Sequence, residues 1–288
     1  MMPPTRLWSP GSRPAAAPQP AWSGEGQPDR RRFLQEYGTV RTSEGRGSSD
    51  PRWYYALPWT DLTGRLAEQW RMRGRSWRYF ETRILPRFER FFARPLRVLD
   101  LGAGNCWMSW KLAQRGHQPV ALDIFTDERD GLRASRYYTA QTPFPVIEAE
   151  FDRVPVASQS ADLAIFNASL HYSSDYRRTL TEILRVLRPR GAMVIIDSPV
   201  YRIPEHGRLM VAERRRRFER EYGFPSDAQG SIEYLDEVTL SHLSSDRGIR
   251  WSIHKPWYGM RWHLRPVRAW MTRQRPPSRF WILVGERR

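Results

Sequence analysis

In the run Val98-Leu99-Asp100-Leu101-Gly102-Ala103-Gly104-Asn105-Cys106 an apolar stretch ends on two glycines and then enters a helical segment. Glycine suits a place where the chain turns sharply and its backbone must approach a ligand closely. Asp100, just ahead of the loop, is a carboxylate able to orient loop amides or a ligand amine. Asp123 stands nineteen residues after Gly104, at the end of the next apolar run. A carboxylate there can accept both hydroxyls of a ribose. A dinucleotide fingerprint would want glycine at position 107; the residue is Trp107, which disfavours a pyrophosphate on that helix. The competing reading is a tight strand-to-helix turn with no ligand.

These residues need strands and helices in a set order, and the chain supplies that order. Short apolar runs at 96–101, 119–124, 145–148, 163–167 and 192–197 read as strands, each followed by a connection long enough for a crossover. The clearest helix spans 176–187, with Tyr176, Leu180, Ile183, Leu184 and Leu187 at i, i+4, i+7, i+8 and i+11. Strands alternating with helices predict an α/β fold with a parallel, doubly wound sheet. Ahead of this core, residues 1–32 form a Pro-rich tail expected to be disordered. Residues 33–95 form a cap, irregular but packed from Phe33 to Trp59 and helical over 62–92. Residues 96–200 are the core. Residues 201–288 complete it, with a helix through Arg214, Arg215, Arg216 and Arg217, another over 232–243, and strands near 249–254 and 279–285.

The motifs at 98–104, Asp123, 166–171 and 185–191 together resemble a class I S-adenosylmethionine-dependent methyltransferase of the type 11, or UbiE-like, branch. The resemblance covers about a third of the chain and implies a Rossmann-like seven-stranded sheet, here with a helical N-terminal extension, and S-adenosylmethionine as cofactor. By position it places the loop Asp100, Gly102, Ala103 and Gly104 at the methionine part, and Asp123 with Ile124 at the ribose and adenine edge. Glu150 and Phe151 fall on the adenine-contacting pair, and Asn167 beneath the methionine moiety. Two residues depart from the pattern. Cys106 stands where a third glycine is common and adds bulk beside the cofactor; Arg190 replaces the first glycine of a Pro-Gly-Gly turn at the surface.

Methyl transfer from a sulfonium is a direct displacement, so the protein aligns a nucleophile and excludes water. His171 is the best-placed candidate base, with a packing role as the alternative. Tyr172, Asp197 and Tyr201 are candidates for the acceptor pocket. The single cysteine lies in the loop, which removes a cysteine-nucleophile mechanism for pyrimidine C5. It also removes an internal disulfide and a cysteine-based zinc site, and no metal is expected. Asn167-Ala168-Ser169-Leu170 stands where a base-methylating Asn-Pro-Pro-Tyr run would be.

The formal charge is +16, with 45 of 47 basic side chains arginine. It is uneven: residues 1–95 carry +8, 96–200 carry 0, and 201–288 carry +8. The flanks are also rich in tryptophan, including Trp53, Trp59, Trp70, Trp77, Trp251, Trp257, Trp262, Trp270 and Trp281. Interleaved Arg and Trp suit nucleic acid or a roof over a small apolar ligand. A small-molecule acceptor is the expectation. An RNA methyltransferase and a non-catalytic S-adenosylmethionine-binding protein are the alternatives. No apolar run is long enough for a bilayer span and no secretory h-region is evident, so a cytoplasmic location is expected.

Overall fold

The computed structural model describes residues 29–287. The apolar runs form five parallel strands: β1 (Arg97–Leu101), β2 (Gln118–Asp123), β3 (Val146–Glu148), β4 (Ala161–Asn167) and β5 (Leu187–Ile196). A short parallel pair follows, β6 (Val200–Tyr201) with β7 (Leu235–Asp236). Strands β8 (Ile249–His254) and β9 (Ile282–Arg287) then join the main sheet, β9 lying antiparallel between β5 and β8. The seven-stranded order is β3-β2-β1-β4-β5-β9-β8. Strand order reverses between β1 and β4, and in such sheets the crevice beyond the carboxyl ends at that point takes the ligand.

The strands read as unbroken apolar runs because both faces are buried. Val98, Ala121, Ile165 and Val194 face one core, Leu99, Val120, Phe166 and Ile195 the other. The first core is built with the N-terminal flank: α1 (Arg30–Ser43), α2 (Pro51–Ala56), α3 (Ala67–Tyr79) and α4 (Leu85–Phe92) precede the sheet, and α5 (Trp107–Gln114) leaves its first strand. Trp53, Trp70, Trp77 and Phe80 pack there with Trp107 and Trp110. The helix α6 (Arg136–Thr139) brings Tyr138 into the same core. The second core is covered by α7 (Tyr176–Val186) and α9 (Glu237–Arg247), through Leu180, Ile183, Leu240 and Leu243. Helices α8 (Pro204–Tyr222), α10 (Met260–His263) and α11 (Arg265–Met271) complete the C-terminal flank.

Several local expectations change. Residues 33–59, expected to be irregular, hold α1 and α2. Asp29 and Asp50 cap them by accepting the amides of Arg32 and Arg52 at 3.0 and 2.9 Å. The tail region 1–28 lies outside the described residues, and α1 takes in Arg30, Arg31 and Arg32 from its expected end. The helix expected from 62 starts at Ala67, because Asp61 folds the preceding turn by accepting the amides of Thr63 and Leu66. A π turn at Phe80–Ile84 then leads into α4 and Pro86, which has no amide to donate. The helix expected from 232 starts at Glu237, where Asp236 accepts the Thr239 amide at 2.7 Å, leaving Leu235 in β7. The turn expected around Arg190 lies within β5, with Arg190 at φ 65°. Among the described residues no helix is long and apolar enough to cross a membrane.

Candidate active site

At the carboxyl ends of β1, β2 and β4 lies a cleft, open at its mouth. Its floor is the glycine loop. Gly102 has φ 72°, and a Cβ there would stand 2.3 Å from Cβ of Ser169, so neither the backbone nor the space admits a side chain. Ser169 is fixed in turn by donating to the Leu101 carbonyl at 2.5 Å. Gly104 donates its amide to Asp123 Oδ2 at 2.8 Å, and Phe125 donates to Oδ1 at 2.9 Å. Asp123 is thereby held at the lip of the cleft. Burial pushes its carboxyl above the ordinary value, against the opposing pull of these amides and of Arg41.

One wall comes from α1. Phe33 and Tyr37 stack at 5.3 Å, and Tyr37 meets Phe125 and Tyr172 edge-on at 5.1 and 5.6 Å. Arg41 pairs with Asp130 and lies over the Tyr37 ring at 5.0 Å. Burial works against its charge, yet Asp130 and the neighbouring phenols hold its pKa above the usual guanidinium value. From α3 comes Arg73, over the Trp70 ring at 4.9 Å and with no ion pair among the described residues. Burial, with Arg46 and Arg41 nearby, lowers its pKa to about 10, so it stays charged at neutral pH.

Gly102, Ala103, Gly104, Asp123, Ile124, Glu150, Phe151, Asn167 and Tyr172 all line this cleft. Asn167 Oδ1 is buried and accepts nothing from the described residues. Asp100, His171, Asp197 and Tyr201 do not line it. Asp100 shares the Val98 side of β1 and faces α5, accepting from Ser109 Oγ at 2.7 Å, with Oδ1 unpartnered. Burial pushes its carboxyl up to about 7. His171 lies behind Tyr172, ring centroids 4.5 Å apart, its Nδ1 3.3 Å from Ser198 Oγ. Burial, with Arg214 and Arg73 adding to it, lowers its pKa to about 3, so the imidazole is neutral and a weak base. Asp197 accepts from Ser76 Oγ on α3, and burial raises its carboxyl to about 6. Tyr201 accepts from Arg275 Nη1 at 3.0 Å on the C-terminal flank. Cys106 sends its bulk into the core, fully buried, instead of toward the cleft.

Sequence reasoning missed the wall residues Phe33, Tyr37, Arg41, Arg73 and Trp107. A signal existed for three of them: Phe33, Tyr37 and Arg41 recur at i, i+4 and i+8, one stripe of a helix. Trp53, Trp70 and Trp77, read as stackers or a pocket roof, are 2, 3 and 1% exposed and belong to the core.

The sheet order, the switch point and the glycine loop define a class I methyltransferase fold. Residues 99–195 match the methyltransferase domain family of type 11. A dimethylglycine N-methyltransferase from Parasynechococcus marenigrum is 34% identical over 102 residues, 35% of this chain and 36% of the relative. A malonyl-[acyl-carrier protein] O-methyltransferase from Buchnera aphidicola is 27% identical over 118 residues, 40% of this chain and 43% of the relative. The match thus spans less than half of each of these relatives. The solved YcgJ protein from Bacillus subtilis superposes with a TM-score of 0.50 at 16% identity, over 67% of this chain and 93% of that one, a likeness of fold.

Proposed function

We propose that the chain transfers a methyl group from S-adenosylmethionine to a small-molecule acceptor by direct displacement. The observation that carries this reading is the cleft at the switch point, where Gly102, which has no room for a Cβ, a fixed carboxylate and an unpartnered amide oxygen converge. Those features fit the donor. Asp123 would accept the ribose hydroxyls, and the backbone from Gly102 to Gly104 would pass beneath the sulfonium end. Glu150 and Phe151 would border the base, and Asn167 Oδ1 would accept from the amino-acid part. Asp100 would act from behind, holding α5 through Ser109.

S-adenosylmethionine, when bound, supplies an electrophilic methyl on a positively charged sulfur. Phe33, Tyr37 and Tyr172 would exclude water and fix the acceptor's approach, the main task in a displacement without a covalent protein intermediate. His171 would serve by packing Tyr172 in place. Arg73, a cleft cation without an acid partner among the described residues, favours an acceptor or donor group bearing a carboxylate. The relatives named for dimethylglycine and malonyl-carrier protein act on compounds of that kind.

Calorimetric titration with S-adenosylmethionine tests the reading. The wild type should bind, and Asp123→Ala should bind at least about tenfold more weakly, the loss of roughly one charged hydrogen-bond acceptor. Unchanged affinity in Asp123→Ala removes the ribose assignment, and no binding by the wild type removes the donor. Methyl-labelled donor incubated with cell extract should then place label in a solvent-extractable fraction; label in a nuclease-sensitive fraction would reject the small-molecule acceptor.

A further inference from the structure

The segment between β8 and β9 turns an apolar stripe outward. Met260, Leu264, Val267 and Met271 fall at i, i+4, i+7 and i+11 along α10 and α11, whose junction residue Leu264 keeps right-handed helical backbone. They are 63, 52, 52 and 71% exposed, beside Trp257 at 60% and Trp270 at 80%. The opposite stripe holds the segment down. Ala269 is buried, Trp262 packs on Phe280 with ring centroids 5.1 Å apart, and Arg265 Nη2 donates to the Ser278 carbonyl at 2.8 Å. At the root, Tyr258 donates to the Phe280 carbonyl at 3.0 Å and lies 2.9 Å from Ser76 Oγ on α3. The exposed face is therefore the outer side of a docked element.

Its charge is one-sided. Between Asp246 and Glu286 the sequence contains no acid, against eight arginines and Lys255. Arg261, Arg268 and Arg273 are exposed and enter no ion pair among the described residues.

We propose that this face, from Trp257 to Arg273, docks on a bilayer surface rich in anionic headgroups. Aliphatic side chains and tryptophan gain by entering the acyl boundary, while arginine stems lie along it with their guanidinium groups at the phosphates. Nucleic acid would engage the arginines and tryptophans but leave Met260, Leu264, Val267 and Met271 in water. A second copy of the face would bring like charges together. The site would thus be a peripheral one, set on the surface without spanning it.

Sedimentation of the full chain with vesicles tests this. Binding to equimolar phosphatidylcholine and phosphatidylglycerol should exceed binding to phosphatidylcholine alone by at least about tenfold. This preference needs no variant, and its absence overturns the proposal. Arg261→Gln/Arg268→Gln/Arg273→Gln should weaken binding about a hundredfold, at about fivefold for each arginine. Leu264→Ser/Trp270→Ser, at exposed positions, should weaken it at least about tenfold while leaving the melting temperature unchanged. Vesicle binding by the serine variant at the wild-type level overturns the apolar contact. Tighter binding to transfer RNA than to anionic vesicles, unaffected by the serine changes, assigns the face to nucleic acid and overturns the proposal. So does a wild-type dimer that the serine variant converts to monomer.

Discussion

Asp100 illustrates how one carboxylate can be adjacent to the cleft without facing it. In β1 successive side chains alternate faces, so the residue ahead of the glycine turn shares the Val98 side and meets α5. There it accepts only Ser109, and burial raises its pKa to about 7. The folded state therefore holds the proton more tightly than the unfolded chain, whose carboxylate titrates near ~3.9. The stability this provides is whole below that lower value and is lost as pH rises through about 7. Asp100→Asn keeps an acceptor for Ser109 and removes the titration. Between about pH 5 and pH 8 the variant should gain on the order of 2–3 kcal/mol relative to the wild type in denaturant unfolding. Parallel stability-pH curves for the two proteins would refute the raised carboxyl.

At the level of elements, the strands were legible because burial on both faces writes them as apolar runs, and α7 because its stripe repeats at helical spacing. The loop residues followed, since Gly102, Gly104 and Asp123 sit at strand ends that those runs define. The helices of the cap were harder to read. Gly45, Gly47 and Pro51 between α1 and α2 obscured two short helices whose signal lay in single capping aspartates. The cleft wall on α1 depends on long-range packing of Tyr37 against Phe125 and Tyr172, which local pattern does not encode. Strand β5 holds a different lesson. Arg190 stands where the resembling family has glycine and adopts φ 65°, a left-handed backbone that costs an L side chain about 1–2 kcal/mol. Its guanidinium over the Phe91 ring at 5.4 Å offsets part of that cost. Arg190→Gly should therefore leave stability unchanged or raise it by up to about 1 kcal/mol, read as the denaturant midpoint. A clear loss would show that the Phe91 contact outweighs the strain.

On the scale of the whole molecule, the neutral core and the two basic flanks form one structure. The N-terminal flank supplies a wall of the cleft and about a third of one hydrophobic core, and the C-terminal flank supplies two strands of the sheet. Polar contacts join all three parts: Ser76 of α3 donates to Asp197 beyond β5 and lies 2.9 Å from the hydroxyl of Tyr258 ahead of α10. Ser76→Ala would leave the buried Asp197 carboxyl without that donor, a loss of about 1–3 kcal/mol. Since Asp197 titrates at about 6, the loss should be larger at pH 8 than at pH 5. Thermal melts at the two pH values check this, and an equal loss at both would place the effect in packing alone.

The indole rings beside the cleft have another consequence. Trp107 borders the cleft, and its ring meets Trp70 at 6.2 Å and Trp77 at 5.6 Å, both enclosed in the core. Indoles that close exchange excitation energy, so light absorbed at Trp70 or Trp77 in the core reaches Trp107 at the edge of the cleft. A molecule bound against Trp107 would therefore alter the emission of all three indoles, through the same side chains that hold the N-terminal helices on the sheet.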